Sequence, residues 1–388
     1  MRRRTLLGAA AALFGPEPRD RARPPRIRQV ALPGFDGANA IWGATGSDQR
    51  GGIWAGISAV GGGGSAHLAE LDPTIFRARD RGDVVGELAR LGLLRPGETQ
   101  NKLHTKLVQA ADGWLYFAST DEAADNDLAP PRWGSHLWRL RPGEGRWDHV
   151  LAVPEGLIAL GGAAGGIFAF GLWDHVLYRY DTATGQTMRT VVGAPLGHMS
   201  RNLLVDRAGH AYVPRVTLGA TGLDAVLVEY GPALEIIAET PLEYYAVGAD
   251  PAVAQGITAF VELADGAILF ATAIGYLYRV TPRAGGASVL PLGWLHPSGT
   301  AFTPALFTWD GVRHVCGLAR FAPNVWDWVV YDLRERQGVA RPFPHGETEK
   351  PLLLYGCNTR DEQGRFYIAG RRRRGTTREP VLWQLDTL

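Results

Sequence analysis

The sequence predicts an all-β protein, a seven-bladed β-propeller built of four-stranded antiparallel blades, and three observations carry that prediction. One strand cadence recurs seven times: HLAELDP from His67, HLWRLRP from His136, VLYRYDT from Val176, AVLVEYG from Ala225, YLYRVTP from Tyr276, DWVVYDL from Asp327 and VLWQLDT from Val381. These starts lie 69, 40, 49, 51, 51 and 54 residues apart, and a period of about 40 to 50 residues with several strands per unit is the signature of propeller blades. The third observation is composition: 50 Gly and 25 Pro are spread along 388 residues, and no amphipathic helical stripe appears.

The first element is MRRRTLLGAAAALFGPEP. Its apolar run from Leu6 to Phe14 is too short to span a bilayer. Arg3-Arg4-Thr5-Leu6-Leu7 resembles a twin-arginine export signal, which sets the expectation of a periplasmic or secreted protein without stable membrane insertion. A Pro- and Arg-rich stretch from Pro16 to Arg28 then reads as a linker, so residues 1–28 are assigned to export and linkage and residues 29–388 to the propeller.

Within each unit an apolar strand, a Gly turn, a second strand and a loop precede the recurring strand, which is therefore the third of its blade. The second unit reads KLVQAADGWLYFAST then HLWRL, the fourth NLLVDRAGHAYVPRV then AVLVEY, and the fifth FVELADGAILFAT then YLYRV. Asp112-Gly113, Ala208-Gly209, Asp265-Gly266, Asp310-Gly311 and Gln363-Gly364 supply the positive φ of two-residue hairpins. The last strand, VLWQLDT, is expected to close the ring beside material near residue 38, because an open ring leaves two unpaired edges.

In a propeller the loop entering the first strand and the loop joining the second to the third open on the same end of the channel. The entering loops carry His104, His198, Arg201, Gln255, His296 and Tyr355; the joining loops carry His136, His175, Arg215, Arg320 and the run from Arg371 to Arg374. Five of ten histidines and several arginines thus converge on one end of a chain whose formal net charge is only +1. No global field points to nucleic acid. Closely placed guanidinium groups need an anion to accept their hydrogen bonds, and a uronate-bearing polysaccharide or oligosaccharide, met by a monomeric protein, fits that need. β-Elimination at a uronate requires a group to neutralise the carboxylate, a base for the C5 proton and an acid for the leaving oxygen; Arg and His match those roles. The same residues also have structural readings. His104 can bond a neighbouring blade, His136 can be a habit of its repeat position shared with His67, and the Arg371 to Arg374 run can be a solvated loop.

KLHTKLVQAADGWLYFAST, SHLWRLRPGEGRW and GHMSRNLLVDRAGHAYV resemble segments of seven-bladed propeller polysaccharide lyases, the ulvan lyases and more loosely the oligogalacturonate lyases. That resemblance covers about half the chain. It implies a polysaccharide lyase with His104, His136 and Arg201 as catalytic residues in one pocket, while the loop positions of His175, His198, Arg215, Gln255, His296, Arg320 and Tyr355 at the same channel end mark them as expected substrate-binding residues. The tyrosine of the family has no clear counterpart before Arg201. The resemblance further implies a divalent cation held by residues such as His104, His136, His198 and Gln255, or a structural zinc on His314, Cys316 and Cys357; the two cysteines can equally form a disulfide or remain thiols. The alternative is a non-catalytic propeller that binds an anionic glycan or a protein partner, since fold alone never settles function.

Overall fold

The computed structural model describes residues 23–387 apart from 61–63, 122–130, 164, 173, 194–199, 220–221, 246–255 and 346–351. Seven four-stranded antiparallel blades form the propeller, and in each the recurring strand is third. The first blade runs Ala38–Ala40, Ile53–Ala59, His67–Asp72 and Arg77–Asp83, with Thr45–Ser47 as a second piece of its inner strand. The second has a similarly split inner strand, Lys102–Leu103 and Val108–Gln109, followed by Leu115–Thr120, Ser135–Leu140 and Trp147–Val153. Blades three to six are regular: 156–191, 204–241, 257–294 and 302–342. The seventh takes Leu352–Arg360, Phe366–Arg374 and Thr377–Asp386. A parallel bridge between Ala305 and Cys357 ties the inner strands of the sixth and seventh blades.

Two expectations are corrected here. The outermost strand of the seventh blade is Arg26–Gln29, in register from Arg26 opposite Asp386 to Gln29 opposite Trp383; residues 38–40 instead form the inner strand of the first blade. The ring therefore closes on a stretch that the sequence suggests is mostly linker. The Gly turns are also not two-residue hairpins. Ala110 N–H bonds Trp114 C=O and Gly113 N–H bonds Ala110 C=O, a three-residue loop with Gly113 at φ 81, and the pattern repeats at Asp206, Leu263 and Asp361. Around these turns an aspartate caps the backbone with one oxygen and takes a second-strand side chain with the other. Asp48 accepts Trp54 Nε1 at 2.8 Å, Asp112 accepts Tyr116 at 2.7 Å, Asp206 accepts Tyr212 at 2.9 Å and Asp361 accepts Tyr367 at 3.0 Å.

The core lies between blades. Seven buried apolar clusters each join two neighbours around the ring: Trp54, Trp138 and Trp147 fill the seam between the first and second blades, and Trp328 with Phe307 and Phe366 fills that between the sixth and seventh. A helix, Val84–Arg90, capped by Asp83, buries Val84 and Leu88 in the first seam. It lies in the 69-residue first spacing of the repeat.

Near the axis the inner strands touch backbone to backbone. A Cβ on Gly46 would lie 2.0 Å from Leu107 O, and one on Gly356 would lie 2.4 Å from Thr258 O and 2.9 Å from Pro304 O. Lys106 Nζ donates to Gly356 O across the same space at 2.5 Å. Overpacking at so rigid a place costs about 1–3 kcal/mol or more. Gly46→Ala is therefore expected to lower stability by at least that amount in urea unfolding, while Gly145→Ala, with open space around it, leaves the midpoint within about 0.5 kcal/mol.

Candidate functional site at the channel mouth

Three of the residues singled out from sequence meet around a tryptophan. Trp42 and Tyr355 are each followed by glycine, and those glycines let two chains pass closely: a Cβ on Gly43, at φ 97, would sit 2.7 Å from Gly356 O. The aromatic rings in front of them consequently touch, with centroids 4.8 Å apart. His104 lies parallel to the Trp42 ring at 6.4 Å. Arg201 places its guanidinium carbon 4.9 Å from the Tyr355 centroid. Arg371 does the same over Trp42 at 4.6 Å, and Lys102 Nζ is 5.2 Å from that ring. Each cation faces the electron-rich side of an aromatic ring, which stabilises it by about 0.5–2 kcal/mol.

The Trp42 Nε1–H is the informative group. Trp42 is only 7% exposed, and its indole N–H has no acceptor among the described residues. A buried donor without a partner costs about 1–3 kcal/mol, and beside these cations an acceptor from outside would remove that cost. An oxygen of an anionic ligand meets that requirement beside three cationic side chains.

His136, the third member of the expected trio, has its recorded contacts elsewhere. Its Nε2 is 3.0 Å from Glu98 Oε1 and its Nδ1 is 2.9 Å from His149 Nε2, so the ring bridges a buried loop carboxylate to the outer strand of the second blade. Burial pushes the Glu98 carboxyl up, but hydrogen bonds from Arg95 and His136 outweigh it and hold it at about 2. Burial lowers His136, partly offset by Glu98, and burial with the neighbouring His136 lowers His149 to about 4.

The other positions are dispersed. Arg215 pairs with Glu239 at 2.6 Å, and Arg320 stacks on Phe302 and Trp326 within the sixth blade. His296 Nε2 is 3.0 Å from Asp327 and its ring stacks on Phe321. His175 is buried in the turn between two strands of the third blade. His198 and Gln255 lie outside the described residues. For zinc, the donor set does not fit: His314 lies between Asp310 at 2.7 Å and Asp332 at 3.5 Å, whereas Cys316 is fully buried in the apolar seam with its Sγ toward Phe307 O. Among the described residues no three His, Cys, Asp or Glu side chains are arranged to hold a metal. Cys357 belongs to the inner strand of the seventh blade, and its side chain lies outside the description.

Trp42, Lys102 and the role of Arg371 were not read from sequence. The signal available was a shared aromatic-glycine pair, Trp42-Gly43 and Tyr355-Gly356, at inner strands of the first and last blades.

No family model matches the chain, and no curated protein matches it. Solved propellers do. The β-propeller domain of Cps50 (Swd1) from Myceliophteria thermophila superposes with a TM-score of 0.56 at 10% identity, over 91% of this chain and 98% of that one. The C-terminal WD40 domain of Sif2 gives 0.51 at 9% identity, over 92% and 97%. A protein of unknown function from Dyadobacter fermentans gives 0.54 at 11% identity, over 93% and 99%. At such identities the likeness shows the fold alone, a β-propeller, and it lends no support to the lyase resemblance.

His175 provides a test of the burial argument. Burial lowers its pKa to about 4 against 6.5 for an exposed imidazole, so the unfolded chain binds this proton first as pH falls. Its contribution is present above pH 6.5 and is lost progressively toward pH 4, about 3 kcal/mol in all. His175 sits at φ 51, a conformation asparagine tolerates. His175→Asn is expected to flatten the acid side of a stability-versus-pH curve measured by urea unfolding; an unchanged slope would show that this group is not the cause.

Proposed function

We propose that the protein is a propeller binding module whose channel mouth takes an anionic ligand, a uronate-bearing polysaccharide or oligosaccharide. One observation carries the reading. A buried indole N–H that lacks an acceptor stands among Arg201, Arg371 and Lys102, each held against the Trp42–Tyr355 pair. A sugar offers an apolar C–H face to such a ring, and a uronate adds a carboxylate that accepts a bidentate fork of hydrogen bonds from a guanidinium. The export-like start of the sequence supports a site of action outside the cytoplasm, where such polymers are met.

A second reading, β-elimination, is favoured by one contact. Arg201 lies on Tyr355, so an arginine, a tyrosine and, across Trp42, a histidine gather, although the sequence has no clear tyrosine just before Arg201. In that chemistry Arg201 neutralises the uronate carboxylate while His104 and Tyr355 exchange the C5 proton and the leaving-group proton.

Both readings are tested by titrating the protein with a panel of acidic and neutral polysaccharides while following ultraviolet absorbance from new unsaturated uronate ends. Salt-sensitive binding of the acidic polymers alone, with no absorbance growth, is the expected result. Arg201→Lys keeps the charge but loses the fork, and is expected to weaken binding about tenfold. Trp42→Phe keeps the ring and removes the N–H, with a similar loss. Absorbance growth that depends on Arg201 and Tyr355 would replace the binding reading with the lyase reading; equal affinity for neutral polymers would remove both.

A further inference from the structure

A second cleft opens on the second blade, away from the mouth cluster. It has a volume of about 300 Å³ and is lined by Arg95, Pro131, Arg132, Trp133, Pro154 and neighbouring backbone. Both guanidinium groups lie on one indole: Arg95 Cζ is 5.0 Å and Arg132 Cζ 4.6 Å from the Trp133 ring.

The platform is fixed with unusual completeness for a surface loop. Trp133 N–H donates to Asp121 at 3.1 Å, and Trp133 C=O accepts from Arg95 Nη2 at 2.7 Å. Arg95 is itself forked onto Glu98, with contacts of 3.0 and 2.7 Å, and Glu98 is backed by His136 and then His149. A chain of side chains thus runs from the outer strand of the blade to the wall of the cleft. The charges divide clearly. Glu98 neutralises Arg95, and Asp121 is engaged by Thr99 at 2.7 Å and by the Trp133 backbone. Arg132 is exposed and has no carboxylate partner among the described residues. A preorganised wall with one uncompensated guanidinium and two prolines suits a small ligand that has an apolar edge and an anionic group.

We propose that this cleft is a second saccharide subsite, in which Arg132 takes the carboxylate of one acidic sugar residue while its ring edge rests on Pro131, Pro154 and the indole. The ligand class rests on the reading of the mouth, whereas the cleft itself does not. His136, which the sequence marked for catalysis, then acts with Glu98 as a positioning device that holds Arg95 and, through it, the Trp133 backbone.

The experiment uses the full chain and glucuronate as a single-residue probe, followed by saturation-transfer NMR and calorimetry. In Arg201→Ala, which disables the mouth, residual glucuronate binding is expected; adding Arg132→Ala is expected to weaken that residual binding at least tenfold. Arg132 is exposed, so its truncation should leave the thermal midpoint unchanged, and a measured midpoint confirms that the variant is folded. Absence of any binding in Arg201→Ala, or equal binding with and without Arg132, overturns the cleft. Binding that ignores Arg201 but needs Arg132 would instead overturn the mouth and leave the cleft standing.

Discussion

No blade of this protein has a core of its own. Each of the seven apolar clusters lies in a seam and draws its side chains from two neighbouring sheets, so every blade needs both neighbours before its hydrophobic faces leave water. That requirement can be met all round only if the ring closes. Closure is made by Arg26–Gln29, which completes the seventh blade and leads into Val30, a residue buried in the seam with the first blade. The cation–π contact of Arg28 on Phe76, 3.6 Å from the ring centroid, clamps the same stretch onto the outer part of the first blade. A strand of four residues therefore removes the two sheet edges that an open ring would present.

Closure brings the inner strands so near the axis that glycine decides where they can cross. Gly43 and Gly356 stand against each other, Gly46 stands against Leu107, and Lys106 reaches across to Gly356 O. The crowding also places aromatic rings: Trp42 and Tyr355 precede the two crossing glycines and are pushed together beside them. Cations from the second, fourth and seventh blades then find a common aromatic surface. The candidate site is a product of the ring geometry, because no single blade contributes more than part of it.

The histidines show how the same residue type is divided between structure and site. His67, His136, His210, His296 and His314 all lie against carboxylates, at 2.9, 3.0, 3.0, 3.0 and 2.7 Å respectively. These pairs tie turns and strands within blades. His104 differs in being set against the Trp42 ring at the mouth. A count of histidines at one end of the channel could not separate these uses, since the separating factor is which acidic residue each ring finds across a sheet.

The sequence by itself determined the blade count and the rank of the recurring strand, because strand alternation and turn glycines are local properties that repeat with the period. It also placed His104, Arg201 and Tyr355 on the loops and strands that open toward one end, since loop position follows from strand order. It misjudged the closing strand: Arg26–Gln29 is short and mostly polar, and its pairing is made to a strand at the far end of the chain. It did not reveal the partners of His136, because Glu98 and His149 are brought to it by the loop before the blade and by the outer strand. Trp42 was silent in the sequence for the same reason. An aromatic residue at the end of a strand looks like core, and only the crossing at Gly43 and Gly356, a contact between the first and last blades, turns it toward the mouth with an unmet hydrogen bond. Local pattern fixed what recurs within each blade, while contacts between residues far apart in the chain decided which side chains meet.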